Sequence, residues 1–94
     1  MANANYRKGV RLENLLKAQL ERGGYDVMRS AGSKGAVDLA AWNGTELLLI
    51  QVKSEGAKRQ VDLDKLKKVK CPAWGRRLLY ERDGGLTEWT IFQV

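Results

Sequence analysis

Asp38, Gln51 and Lys53 are the residues of this chain whose types and spacing are best suited to chemistry. A carboxylate and an amide oxygen are hard ligands of the kind that Mg²⁺ prefers. A lysine beside such a cation can orient a water molecule or stabilise negative charge on a phosphate. A structural interpretation is also open, in which Asp38 forms a turn at a strand end and the other two residues line the solvated side of a half-buried strand.

The dipeptide Asn43-Gly44, flanked by two apolar runs, predicts a tight hairpin. A two-residue loop would pair Trp42 with Thr45 and would place Asp38 opposite Leu49. Opposed residues share a face of the sheet, as do residues two apart on one strand. Any even loop length centred on the turn therefore places the acid, the amide and the ammonium on one face, whereas an odd length would separate them.

An acid in one strand followed by Gln-x-Lys in the next resembles the signature of the PD-(D/E)xK nucleases. More specifically, residues 8–54 resemble the archaeal-type Holliday junction resolvases, the Hjc-like family, including virus-encoded relatives. The likeness lies in the stretches 8–13, 24–33 and 51–54 and in one ordered set of polar residues: Glu13, Arg29, Ser33, Asp38, Gln51 and Lys53.

The resemblance implies a metal-dependent nuclease site. Asp38, Gln51 and Glu13 would hold Mg²⁺, for which Mn²⁺ would substitute, and Lys53 would position the attacking water. Ser33 would belong to the catalytic set and would also contact DNA phosphate. The other DNA contacts of this part of the chain would come from basic residues: Lys8, Arg11, Arg29 and Lys34.

The chain departs from the family pattern at three positions. Val37 stands where the superfamily name has proline, and Asn14 follows Glu13 where the family usually has arginine. Gln51 stands where most members have an acid. An amide keeps an oxygen donor but removes a charge, so we expect weaker metal binding at a variant active site.

Composition narrows the chemistry. The chain has 94 residues, a formal net charge of +6, no histidine and one cysteine, Cys71. The positive charge suits a polyanionic partner, although acidic membranes and proteins also attract basic chains. The lack of histidine excludes Ser-His-Asp chemistry and ordinary zinc sites. A lone cysteine excludes an intramolecular disulfide. No apolar run is long enough to span a membrane. We therefore expect a cytoplasmic protein, which would act in the host cell if the chain is viral.

Two amphipathic helices are predicted. The first covers 8–22 and places Glu13 at the border of its buried face, from which it can reach a cleft or instead pair with Lys17. The second covers 62–70, with Asp62 as its N-cap. Its basic side, which includes Lys65 and Lys68, suits a DNA backbone, but it is equally consistent with a solvated face.

The predicted order is helix, three strands, helix, two strands. The last two strands, 76–82 and 86–94, are expected to form a hairpin around a turn at 83–85. The predicted fold is an α/β fold with a mixed, twisted sheet, and it resembles the restriction-endonuclease-like core. We expect one nuclease domain over 1–94, with 1–7 as a flexible arm, acting as a homodimer on branched DNA, in particular four-way junctions. The alternatives are a related endonuclease for flaps or duplex DNA and a non-catalytic DNA-binding protein.

Overall fold

In the described part of the chain, two helices and five strands follow one another in the predicted order. The structure is a computed structural model that describes residues 4–30, 35–54, 59–82 and 88–94, with side chains from residue 10 onward. Its elements are α1 (Ala4–Arg22), β1 (Asp26–Arg29), β2 (Leu39–Trp42), β3 (Leu47–Lys53), α2 (Arg59–Lys67), β4 (Gly75–Glu81) and β5 (Thr90–Gln93). The predicted mixed α/β fold is confirmed.

The five strands form one sheet in the order β1-β2-β3-β4-β5. Neighbours are antiparallel except for β3 and β4, which are parallel. A parallel pair needs a crossover connection, and α2 lies in this one. The second helix is therefore brought against the sheet beside β4, on the side where it can meet the polar end of β3.

One face of the sheet packs on α1. Leu16 and Leu20 of the helix contact alternate residues of the three central strands. Side chains along a strand alternate between faces, so this pattern separates the core from the opposite face. The buried sheet residues of this core are Leu39, Ala41, Leu48, Ile50, Leu78 and Tyr80.

The opposite face of the sheet packs on α2 and carries the polar side chains Gln51 and Lys53 of β3. Leu66 of the helix and Leu79 of β4 are fully buried there. Gln51 pairs with Leu79 and therefore points to this face, as does Lys53 two residues later. The predicted shared face of the amide and the ammonium thus follows from the observed ladder.

The turn between β2 and β3 is longer than predicted. Trp42 pairs with Leu47 rather than with Thr45, and Ala40 rather than Asp38 lies opposite Leu49. The Asn43 side chain explains the difference, because its Oδ1 accepts hydrogen bonds from the Thr45 amide, the Thr45 hydroxyl and the Glu46 amide. The Asn43 amide also donates to the Glu46 carbonyl at 3.1 Å. Four residues lie between the paired strand ends, so the loop length is even as expected, although the register is shifted.

Both helices begin earlier than predicted. Helix α1 starts at Ala4, so 4–7 of the expected flexible arm are helical; this stretch contains no residue that stops a helix. Helix α2 covers Arg59–Lys67, so Asp62 lies in its first turn rather than at its N-cap. The helix ends at Lys67 rather than at residue 70, and Arg77 Nη1 donates to the carbonyls of Lys67, at 2.7 Å, and Val69, at 3.0 Å, which satisfies two carbonyls at this end.

The last two strands pair as the predicted hairpin, although β5 is shorter than the predicted 86–94. The proposed turn at 83–85 lies outside the described residues. Trp89 packs against the α1 core, with its indole Nε1 donating to Gln19 at 2.7 Å. Ile91, also on this hairpin, is half exposed. None of the described helices is long and apolar enough to cross a membrane.

Candidate active site

Asp38 lies just before β2 and is held across from Gln51 by two hydrogen bonds. Its amide donates to the Ile50 carbonyl at 2.8 Å, and its carboxylate Oδ2 accepts the Val52 amide at 2.9 Å. These partners flank Gln51, so the acid faces that position of β3. The ladder ends at Leu39, so strand alternation alone does not assign the Asp38 carboxylate to one face.

Burial makes the Asp38 carboxyl unusual. Asp38 is 6 % exposed, and within the described ranges it is the one charged residue that is buried. Loss of hydration raises its pKa from 3.8 to about 6; the Val52 amide opposes this shift, and the charges of Glu13 and Asp62 add to it. No described lysine or arginine forms an ion pair with Asp38. At neutral pH the carboxylate is thus ionised and poorly compensated, which favours a cation.

Gln51 opens onto a groove of about 380 Å³ between the sheet and α2. The groove brings the amide together with Lys65 and Lys68, two of the lysines that were predicted to contact DNA. Gly35 and Ala36, which lead into Asp38, form its opposite wall, although Asp38 itself does not line it. The remaining lining residues belong to α2 and the turn after it: Asp62, Lys65, Lys68 and Val69.

Lys53 makes a short ion pair with α2. Its Nζ lies 2.6 Å from Asp62 Oδ2, and both side chains are about one-fifth exposed. Glu81, opposite Lys53 in the parallel ladder, is bound by Arg59 through two hydrogen bonds of 2.8 and 3.0 Å. The ammonium is therefore oriented toward the first turn of α2 and the mouth of the groove.

Glu13 pairs with Arg29 on the other side of the sheet. Arg29 Nη1 lies 3.1 Å from Glu13 Oε1, and the Glu13 side chain is 14 % exposed. The negative charge of Glu13 is nevertheless close enough to raise the pKa of Asp38. The structure thus joins these two predicted site residues to each other and sets them beside Asp38.

A family model supplies the decisive comparison. It describes the archaeal Holliday junction resolvase (Hjc) and matches residues 4–78. The chain belongs to the Hjc family. The matched segment contains every predicted site residue, from Lys8 in α1 to Lys68 after α2, and ends within β4.

Two relatives show how similar the chain is to known members of the family. The crossover junction endodeoxyribonuclease Hjc of Methanocaldococcus jannaschii is 43% identical over 65 residues, which are 65% of this chain and 48% of that protein. The chain thus spans about half the length of this curated relative. The structure of Hjc from Archaeoglobus fulgidus, a Holliday junction resolvase from an archaeal hyperthermophile, superimposes with a TM-score of 0.71. That match has 24% sequence identity, covers 92% of this chain and 72% of the other, and shows a shared fold.

Other predicted site residues of this Hjc-family chain either lie elsewhere in the structure or fall outside its described residues. Arg11 is an exposed residue of α1. Ser33 and Lys34 lie outside the described residues, as does the side chain of Lys8. Within the described ranges, no three aspartate, glutamate, cysteine or histidine side chains converge on one point that could hold a metal ion.

Asp62 is the site residue that the sequence pattern did not reveal. Its position near the predicted start of α2 indicated a capping role, which local sequence commonly explains. Its contact with Lys53 arises only when α2 folds back on β3, so no local spacing could have shown it. The structure thereby adds an acid to the groove beside the neutral Gln51.

Proposed function

We propose that this Hjc-family chain is a metal-dependent endodeoxyribonuclease that hydrolyses phosphodiesters in four-way DNA junctions as a homodimer, inside the cell. The observation that carries the proposal is the buried, ionisable Asp38, held across from Gln51 and without a described cationic partner. A resolvase and a junction endonuclease among the relatives support the choice of substrate.

The donor set fits Mg²⁺. Asp38 offers a carboxylate with one oxygen, Oδ2, bound to the Val52 amide. Gln51, at the facing position of β3, would add an amide oxygen. Mg²⁺ commonly uses one or two carboxylates and fills its other positions with water and substrate phosphate. Asp38 and Gln51 would hold the cation, and Glu13 would reach its water shell. When bound, the cation polarises the phosphate and lowers the pKa of a coordinated water.

The chain's own residues act on charge and position. The Lys53 ammonium donates hydrogen bonds toward the attacking water and counters the negative charge that grows on the phosphate. The Asp38 carboxylate, ionised above its pKa of about 6, is available as a ligand at neutral pH. Arg29, which neutralises Glu13 in the free protein, can transfer its hydrogen bond to a DNA phosphate.

The groove gives the DNA strand a path to this site. Lys65 and Lys68 line it together with Gln51, so a phosphate held by the lysines would lie next to one of the predicted metal ligands. Such contacts fix the register of the backbone without reading its sequence. DNA binding with little base preference follows from contacts of this kind.

Resolution of a junction requires two cuts, and one site cuts one strand. A two-fold symmetric dimer supplies the second site. An apolar patch on the α2 side of the sheet supports this pairing: Met28, Ala40 and Leu49 are neighbours across three strands, and Met28 is 63% exposed. Among the described elements, α2 packs mainly on β4 rather than on these three residues.

A cleavage assay tests the proposal. The protein is incubated with a four-way junction, a flap and a linear duplex, each with Mg²⁺, with Mn²⁺ or with EDTA. We expect paired cuts in the junction that require either metal. Preferential cleavage of the flap or duplex would assign a different substrate, and tight junction binding without cleavage in either metal would identify a non-catalytic DNA-binding protein.

A further inference from the structure

Lys53 has a partner whose role the proposed chemistry does not yet include. Asp62 Oδ2 lies 2.6 Å from the Lys53 ammonium, a distance typical of a charge-assisted hydrogen bond. The two side chains are 20% and 19% exposed, respectively, so water competes for this pair less than for a surface ion pair. The contact is therefore strong enough to fix the direction of a long, flexible side chain.

The same turn of α2 is already attached to the sheet by other contacts. Arg59 binds Glu81 through two hydrogen bonds, and its guanidinium lies 4.6 Å from the centre of the Phe92 ring. Attachment of α2 does not depend on Asp62 alone. The residue that depends on Asp62 is Lys53, for which it is the ion-pair partner among the described residues.

Position also favours a functional role for Asp62. It lies in the first turn of α2, where the helix dipole stabilises a negative charge. It lines the groove with Gln51, Lys65 and Lys68, so the Lys53 ammonium, 2.6 Å from Asp62, lies next to a residue of the wall that the DNA strand would follow. Gln51 carries no charge, so among the described lining residues Asp62 is the acid that binds the Lys53 ammonium.

We propose that Asp62 is a positioning residue that holds the Lys53 ammonium at the groove, in the direction required for phosphodiester hydrolysis. The inference rests on the proposed nuclease function. Without Asp62 the lysine samples several rotamers, and fewer of them reach the water and the phosphate. The loss falls on the rate of the chemical step rather than on the affinity for DNA.

The ion pair itself is tested without any DNA. In protein labelled with ¹⁵N-lysine, the Lys53 Nζ signal is assigned by its loss in Lys53→Ala. We expect the ammonium protons of Lys53 to exchange with water faster in Asp62→Asn than in wild type. Asp64→Asn is the matched control, because Asp64 lies on the same helix, is exposed, and accepts a hydrogen bond from Gln60 instead. Equal exchange in wild type and Asp62→Asn would show that the pair is absent and would overturn the proposal.

The positioning role is tested by single-turnover cleavage at saturating junction. Asp62→Asn should lower the rate about 10- to 100-fold and change the Kd less than about twofold, as expected for residues that orient a functional group. Asp62→Glu should recover part of the rate, and Asp64→Asn should match wild type. In a Lys53→Ala background, Asp62→Asn should cause no further loss.

Three results would reject the role. A rate loss that persists in the Lys53→Ala background, together with a lower melting temperature, would show that Asp62 only supports the fold. A faster Asp62→Asn enzyme would show that the pair restrains Lys53. A wild-type protein that cuts no DNA in Mg²⁺ or Mn²⁺ would reject both the nuclease function and the positioning role, and the exchange measurement would then still show whether the pair forms.

Discussion

An acid lies near each end of strand β3, and the pKa values of these two acids are shifted in opposite directions. At the turn end, Glu46 accepts a hydrogen bond of 2.5 Å from the Tyr25 hydroxyl and a bond of 2.6 Å from Arg76. These hydrogen bonds lower the pKa of Glu46. At the other end, burial raises the pKa of Asp38 to about 6, and only a backbone amide among the described residues opposes the shift.

The contrast separates a structural acid from a functional one. Glu46, in the turn, connects Tyr25, which directly precedes β1, to Arg76 of β4. Its carboxylate accepts hydrogen bonds from the Tyr25 hydroxyl and the Arg76 guanidinium. Asp38 is kept buried without an equivalent partner, at a cost in stability that a bound cation would remove. A fold retains such an unfavourable charge where the charge has a use, and this makes Asp38 rather than Glu46 the expected metal ligand.

The largest expected effect comes from Asp38→Asn. The amide can still accept the Val52 N–H but offers no charge to Mg²⁺. We expect junction cleavage to fall at least about a hundredfold, because even residues that only support metal ligands commonly cost 10- to 100-fold. Gel-shift affinity for the junction should remain near that of wild type.

Glu46→Gln is the matched control for this prediction. It makes the same change of acid to amide at the other end of β3, so it should weaken the contacts to Tyr25 and Arg76 while cleavage continues. A wild-type cleavage rate for Asp38→Asn, or an equal loss in both variants, would contradict the distinction between the two acids.

The next effect concerns DNA binding at the Asp38 end. Replacement of both Lys65 and Lys68 by alanine should weaken junction, flap and duplex binding alike, by about tenfold or more. The slope of log K against log salt should flatten by about 1.8, or about 0.9 for each lost phosphate contact. The control replaces Lys67 and Lys70, which are exposed and do not line the groove. An unchanged slope in the Lys65 and Lys68 variant would place the groove away from the DNA.

The sequence predicted the element order well because helices and strands have distinct apolar periods. The shared face of Gln51 and Lys53 was also predictable, since residues two apart on one strand point to the same side of the sheet. The loop length was not, because the Asn43 side chain competes with the two-residue turn that Asn-Gly favours. Residues joined only by tertiary packing were hidden: the Lys53–Asp62 pair, the early start of α2 beside Glu81, and the burial that shifts the pKa of Asp38.

Gln51→Glu sharpens the contrast by adding a second acid at the Asp38 end. A carboxylate attracts Mg²⁺ more strongly than an amide dipole does, so the Mg²⁺ midpoint of cleavage should fall about three- to tenfold. Without metal, repulsion between the two acids should lower the melting temperature, and Mg²⁺ should restore more stability than it does in wild type. Gln93→Glu, at an exposed site on β5, controls for the added charge. Midpoints unmoved in both cleavage and melting would place Gln51 outside the metal site.

The smallest expected effect is the pH dependence of folding, which should have opposite signs for the two acids. Asp38 has a raised pKa, so the folded state holds its proton more tightly than the unfolded state does. Its contribution to stability is greatest below pH 3.8, falls as the pH rises toward 6, and is constant above that. Glu46 has a lowered pKa, so its contribution is present above pH 4.5 and is lost as the pH falls further.

Urea unfolding without metal, measured from pH 3 to pH 8, separates these contributions. Relative to Asp38→Asn, wild type should lose about 1–2 kcal/mol between pH 4 and pH 7, after allowance for screening by water. Relative to Glu46→Gln, wild type should instead lose stability only on the acid side. Mg²⁺ should stabilise wild type more at pH 8 than at pH 5, because protons compete for Asp38 at the lower pH. Parallel curves for wild type and Asp38→Asn would mean that Asp38 ionises as an ordinary aspartate, and the two ends of β3 would then no longer differ in the way that assigns the site.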